Sequence, residues 1–103
     1  MRYNVELTDD ALLDLDRVYN EIFKTCLDNK ITKDYINGLL DKIEILSDFP
    51  ESGAPLYVGR TQSDYRYIIH KSYMAFYHFY NETIFIDRIV YGKSDYLVTL
   101  GIK

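Results

Sequence analysis

The stretch from Tyr65 to Asp95 constrains what this chain can fold into more than any other part of it. It reads Tyr-Arg-Tyr-Ile-Ile-His-Lys-Ser-Tyr-Met-Ala-Phe-Tyr-His-Phe-Tyr, then Asn-Glu-Thr, then Ile-Phe-Ile-Asp-Arg-Ile-Val-Tyr-Gly-Lys-Ser-Asp. β-Branched and aromatic side chains dominate. They lose rotamer freedom in a helix and fit a half-buried pleated surface, so the stretch predicts three consecutive strands. Lys71-Ser72 and Asn81-Glu82-Thr83 are short enough to be hairpin connections. Arg66, His70, His78, Asp87 and Arg88 interrupt the apolar runs, so one face of this sheet is expected to be partly wet or functional.

The preceding residues supply what covers the other face. Tyr3, Val5 and Leu7 alternate with Asn4 and Glu6, the pattern of a short strand. Thr8 then offers a hydroxyl N-cap, and Asp9 and Asp10 sit where carboxylates favour the positive end of a helix dipole. The apolar spacing from Ala11 to Cys26 predicts a helix to about Asp28, with Asp14, Asp16, Arg17, Asn20, Glu21 and Lys24 on its polar side. Asn29-Lys30 reads as a connection, Thr32 as the cap of a second helix, and Tyr35, Ile36, Leu39, Leu40, Ile43 and Leu46 as its apolar stripe. Gly38 marks either a close helix contact or a tolerated exposed glycine. The helix ends at Asp48-Phe49-Pro50, and a loop runs on through Gly53 and Gly59 to Ser63. An antiparallel helical hairpin must lay its stripes on a sheet, and Tyr3–Leu7 pairs most simply as an outer strand of that sheet. The expectation is a two-layer α+β domain over residues 1–103: N-terminal strand, two helices, then a three-stranded antiparallel meander.

A chain of 103 residues has room for one core and needs no crosslinks to stabilise it. The single Cys26 rules out an intramolecular disulfide, points to a reducing compartment, and reads as a small core hydrophobe on the first helix. No run approaches the length of a membrane span, so a cytoplasmic protein without membrane contact is expected. His70 and His78 have no neighbouring ligands at metal spacing, so neither a metal nor a cofactor is expected. The net charge of −4 hides an asymmetry. Residues 1–56 carry six Lys or Arg against twelve Asp or Glu, and residues 57–103 carry six against four. An anionic partner would therefore prefer the second half, where Arg60, Arg66, Lys71, Arg88 and Lys93 lie.

Several of these features occur together in one known group. The early strand, the helix carrying Ala11 and Asp14-Leu15, the Leu46…Pro50…Gly53 helix exit, Tyr65-Arg66, Ala75-Phe76-Tyr77 and Arg88-Ile89-Val90-Tyr91-Gly92-Lys93-Ser94-Asp95 resemble the RelE/ParE superfamily. These are toxins of type II toxin–antitoxin modules, associated with plasmid stabilisation. The resemblance implies a protein that arrests growth and is held inactive by a cognate antitoxin in a hetero-oligomer. RelE-like members resemble metal-independent endoribonucleases that cut mRNA on the ribosome; ParE-like members bind DNA gyrase and cut nothing. The family's sheet arginines carry over onto Arg66 and Arg88. Where many members show His-x-Arg-Arg-Asp, this chain has Tyr91-Gly92-Lys93-Ser94-Asp95. The absent histidine and arginine, together with the acidic total, favour the ParE-like branch, because an enzyme approaching ribosomal phosphates is usually basic.

The candidate residues follow. In a RelE-like enzyme, Arg66, Arg88, Tyr91 and Lys93 would be catalytic, the cations holding phosphoryl charge and Tyr91 or Lys93 moving a proton. As a binding surface the candidates are Arg60, Arg66, His70, Arg88 and Tyr96. Each has a plainer reading: Arg66 and Arg88 as sheet-face cations paired with Asp87, Asp64 or Asp95, the histidines as structural, and Tyr91 and Tyr96 as packing or antitoxin contacts. Outside the family, the aromatic sheet also suits a non-toxic module that docks a peptide or single-stranded RNA. A small hydrolase finds no support, for no Gly-x-Ser-x-Gly, Cys–His pair or phosphate-cradling loop is present.

Overall fold

The computed structural model describes residues 2–101. Strand β1 (Asn4–Leu7) leads into helices α1 (Asp9–Cys26) and α2 (Asn29–Ile45). Strands β2 (Ala54–Val58), β3 (Thr61–His70), β4 (Tyr73–Tyr80) and β5 (Thr83–Tyr91) follow, and a short helix α3 (Tyr96–Thr99) ends the described chain. One sheet runs in the order β1-β5-β4-β3-β2. β2 to β5 form an antiparallel meander, and β1 joins β5 in parallel, with Leu7 opposite Ile86. The α+β architecture is as the sequence predicts, with β1 at the outer edge. No helix among the described residues is long and apolar enough to cross a membrane.

Four local expectations are corrected. The loop expected through Ser63 contains β2 and the start of β3: Leu56 is buried while Tyr57 is exposed, and Pro55 is tolerated because β2 is an edge strand that needs no amide on its outer side. α1 stops at Cys26, where Leu27 takes a left-handed φ of 53° and its amide closes onto the Phe23 carbonyl. Asp28, not Thr32, caps α2, accepting from the Ile31 amide at 3.0 Å. Thr32 lies buried within that helix and donates to the Asp28 carbonyl at 2.8 Å. Cys26 is only half-buried, its sulfur 3.3 Å from the Thr32 hydroxyl, so it is not the core hydrophobe expected.

Both helices pack on one face of the sheet. Val18, Leu39 and Leu46 meet Tyr77, Ile84, Ile86 and Ile89 in a core with no exposed members, and burial of each large aliphatic contributes about 1.5–3 kcal/mol. The spacing from Ile86 to Ile89 breaks strand alternation. A bulge resolves it, since Phe76 pairs with Arg88 and Tyr77 with Ile86, leaving Asp87 as the extra residue. A second cluster lies on the opposite face, where Leu56, Met74, Phe76 and Val90 are covered by Tyr96, Leu97 and Leu100 from the C-terminal segment.

Gly38 marks a close approach, to a strand rather than a helix. A Cβ there would come within 2.8 Å of the His70 ring.

Candidate functional site

Past Leu7–Ile86 no strand among the described residues lies beside the outer edge of β5, and its polar backbone must be satisfied otherwise. Side chains from α1 and its cap take that place. The Thr8 hydroxyl donates to the Asp87 carbonyl at 3.0 Å, Asp14 Oδ2 accepts from the Ile89 amide at 2.9 Å, and Arg17 Nη2 donates to the Ile89 carbonyl at 3.1 Å. Asp14, expected on the polar side of α1, is only 2% exposed. It also accepts from Arg88 Nε at 2.7 Å and Nη2 at 2.9 Å, and from Arg17 Nη1 at 3.1 Å.

Burial pushes the Asp14 carboxyl up, but Arg88, the Ile89 amide and Arg17 outweigh it and hold it below the ordinary carboxylate value. In turn, the bond to Asp14 keeps the Arg88 guanidinium more firmly protonated. The partner of Arg88 is therefore Asp14, and not Asp87, Asp64 or Asp95 as the sequence reading had it. The signal was present in the sequence, since Ala11, Asp14 and Val18 share a helix face at spacings of three and four.

Arg66 occupies a different environment. It pairs with Tyr77, whose ring packs on the helix side, and its Nη1 donates to the Gly53 carbonyl at 2.8 Å and the Glu51 carbonyl at 3.4 Å. Tyr77 completes the arrangement, its hydroxyl donating to the Pro50 carbonyl at 2.9 Å and accepting from the Gly53 amide at 3.1 Å. Together the two side chains hold the helix exit, and a Cβ at Gly53 would collide with the Tyr77 phenol. None of Asp64, Asp87 and Asp95 is Arg66's partner; it binds carbonyls.

His70 is 7% exposed. Its Nε2 lies 3.0 Å from the Tyr35 carbonyl, so Nε2 carries the proton, and Nδ1 is buried without a partner among the described residues. Burial, with Lys42 and Lys71 nearby, holds its pKa below the ordinary histidine value. Arg60 is exposed in the β2–β3 turn, and Tyr96 packs on Phe76 in a tilted pair, 5.2 Å between ring centres. Tyr91 ends β5 at 43% exposure, and Lys93 is exposed in the turn beyond.

Of the four residues proposed for catalysis, Arg88 and Tyr91 share a cavity of about 250 Å³, lined also by Arg17, Glu21 and Ser94. Arg66 and Lys93 do not line it. Each cation there is matched: Arg88 by Asp14, and Arg17 by Asp14 and by Glu21 at 3.3 Å. Among the described residues no three His, Cys, Asp or Glu side chains gather where they could hold a metal ion.

The sheet face opposite α1 and α2 carries a feature not singled out from the sequence. Tyr65, His78 and Phe85 stand side by side on β3, β4 and β5, with ring centres 6.1 and 5.5 Å apart. His78 Nδ1 lies 2.5 Å from Asp87 Oδ2. Only strand pairing and the bulge at Asp87 bring these together, so no spacing rule reveals them.

The sequence matches the family model described as the ParE toxin of type II toxin–antitoxin system, parDE, over residues 5–96. No curated protein gives a significant match. Among solved structures, the fold is similar to a chain of the chromosomal ParDE TA system from P. aeruginosa, at TM-score 0.72 and 17% identity, covering 87% of this chain and 96% of that one. It is also similar to a chain of the toxin–antitoxin complex RelBE2 from Mycobacterium tuberculosis, at TM-score 0.62 and 18% identity, covering 88% of this chain and 92% of that one.

Proposed function

The chain belongs to the ParE toxin family of type II toxin–antitoxin systems, and from that premise we propose that it arrests growth by binding its target rather than by cutting RNA. DNA gyrase is the target that the resemblance to ParE-like toxins implies. The observation that carries this reading is the neutralised state of the Arg17–Arg88 cavity. A ribonuclease needs uncommitted positive charge to hold a scissile phosphate and a group that moves a proton in its transition state. Here Asp14 and Glu21 already engage both arginines, and Arg66 is spent on loop carbonyls on the other side of the sheet.

Ribosome-dependent mRNA cleavage is the second reading, favoured by one feature: Tyr91 opens into the same cavity as Arg88. A cognate antitoxin is the expected partner, since both structural neighbours are described as toxin–antitoxin assemblies. The sheet face opposite α1 and α2, with its aromatic row and flanking Tyr80, suits such a partner. Expression without a partner should stop bacterial growth, and co-expression of the adjacent small reading frame should restore it. Purified protein should inhibit gyrase supercoiling and leave mRNA intact.

A further inference from the structure

The aromatic row ends beside a carboxylate that has one partner among the described residues and a cleft in front of it. Asp87 is four-fifths buried at its side chain, and among the described residues its carboxylate bonds to His78. An ionised carboxylate only accepts, so His78 Nδ1 carries the shared proton and Nε2 is left free. Asp87 and Tyr65 both line a cleft of about 200 Å³, together with Asp10, Thr8, Thr99 and Arg88. Arg88 is the cleft's one cation among the described residues, set against the carboxylates of Asp10 and Asp87, and it is already paired with Asp14. The local field is negative: beyond burial, Asp87 and Asp64 push the Tyr65 phenol further up. On the adjoining row, Glu6 of β1 stands opposite Phe85.

The ring of Tyr65 beside a carboxylate that, among the described residues, only His78 holds is complementary to one side chain above others. Guanidinium stacks on aromatic faces and donates two parallel hydrogen bonds to a carboxylate, whereas an ammonium is a more strongly hydrated point charge. We infer that the cleft between Tyr65 and Asp87 receives an arginine side chain of a protein partner, stacked on Tyr65 and paired with Asp87. Nucleic acid does not fit a cleft of this sign. The inference rests on the reading above in one respect: the partner's identity as the antitoxin.

The site is tested on the full chain by NMR titration with an acetylated pentapeptide amide carrying a central arginine among leucine and glycine. The same peptide with citrulline, which keeps the shape and loses the charge, serves as comparison. The arginine peptide should shift the Tyr65, His78 and Phe85 ring signals saturably, and Asp87→Asn should weaken it by about tenfold or more. Identical titrations by both peptides would overturn the site, as would an Asp87→Asn protein that binds like the wild type. Should that variant fail to fold, the arginine–citrulline comparison on the wild type decides alone. Co-purification with the adjacent-frame protein is read separately. No complex would sink the antitoxin reading alone, and a complex whose affinity ignores Asp87→Asn would sink the arginine site alone.

Discussion

Arg88 grips Asp14 with two hydrogen bonds, Nε to Oδ2 at 2.7 Å and Nη2 to Oδ1 at 2.9 Å, across 74 residues of sequence. The same carboxylate takes the Ile89 amide and Arg17. It therefore does three jobs: it completes the edge of β5 where β1 runs out, fastens α1 to the sheet, and discharges two arginines that line the cavity beside Tyr91. The first two jobs concern stability and the third concerns function.

Removing one partner from such a pair strands the others. Asp14→Ala leaves the buried Ile89 amide and the Arg88 guanidinium without their acceptor and removes one of Arg17's, at a cost of about 3 kcal/mol or more. Thermal melts should show a drop of more than about 10 °C. The Asp14→Ala/Arg88→Ala double variant should lose less than the sum of the two singles, because each single already breaks the shared contact. Additive losses would mean that the pair contributes nothing as a pair.

Acid stability should depend on the same residue. Asp14 has its pKa depressed in the fold, so its contribution is present above the unfolded carboxylate value near 3.9 and is lost as pH falls through the lower folded value. Denaturant midpoints measured from pH 5 down to pH 2 should fall steeply in the wild type and more gently in Asp14→Asn. Parallel curves would contradict the assignment.

His70 acts in a higher pH window. Its folded pKa is lowered, so nothing changes above the unfolded value near 6.5; below it the unfolded chain binds a proton that the folded chain refuses. Stability should decline from about pH 6.5 towards the folded pKa and then level off, with a limiting slope of about 1.4 kcal/mol per pH unit. His70→Gln, which can still donate to the Tyr35 carbonyl, should abolish the decline between pH 7 and pH 5. Gly38→Ala should destabilise at every pH by about 1–3 kcal/mol, because its methyl meets the His70 ring.

Arg66 should behave as a structural residue. Its charged hydrogen bond to the Gly53 carbonyl is worth about 1.5 kcal/mol, so Arg66→Ala should lower the melting temperature by roughly 5–10 °C. Growth arrest by the soluble fraction should persist. An Arg66→Ala protein of unchanged stability and no toxicity would place Arg66 in the target interface instead.

Elements whose logic is local were legible in the sequence. The alternation of Tyr3 to Leu7, the Thr8 cap, both helical stripes and the three aromatic strands all follow from residue type and spacing. β2 was missed because two prolines and two glycines flank or punctuate residues 50–59, and an edge strand needs only half its backbone paired. The partners of Arg66 and Arg88 were missed for a different reason. Both are set by tertiary contacts, a loop carbonyl in one case and a helix carboxylate in the other, and a carboxylate on an apolar helix face reads as polar until something buries it. The row of Tyr65, His78 and Phe85 depends on strand register, which a bulge at Asp87 shifts.

The measurement that bears most directly on the central claim pairs two assays on the same purified, antitoxin-free protein: supercoiling of relaxed plasmid by gyrase, and integrity of mRNA in a translating extract. Supercoiling should be inhibited in proportion to toxin, mRNA should stay whole, and Tyr91→Phe and Lys93→Ala should change neither result. Codon-positioned cuts in mRNA that vanish in Tyr91→Phe or Lys93→Ala, with supercoiling untouched, would contradict that claim.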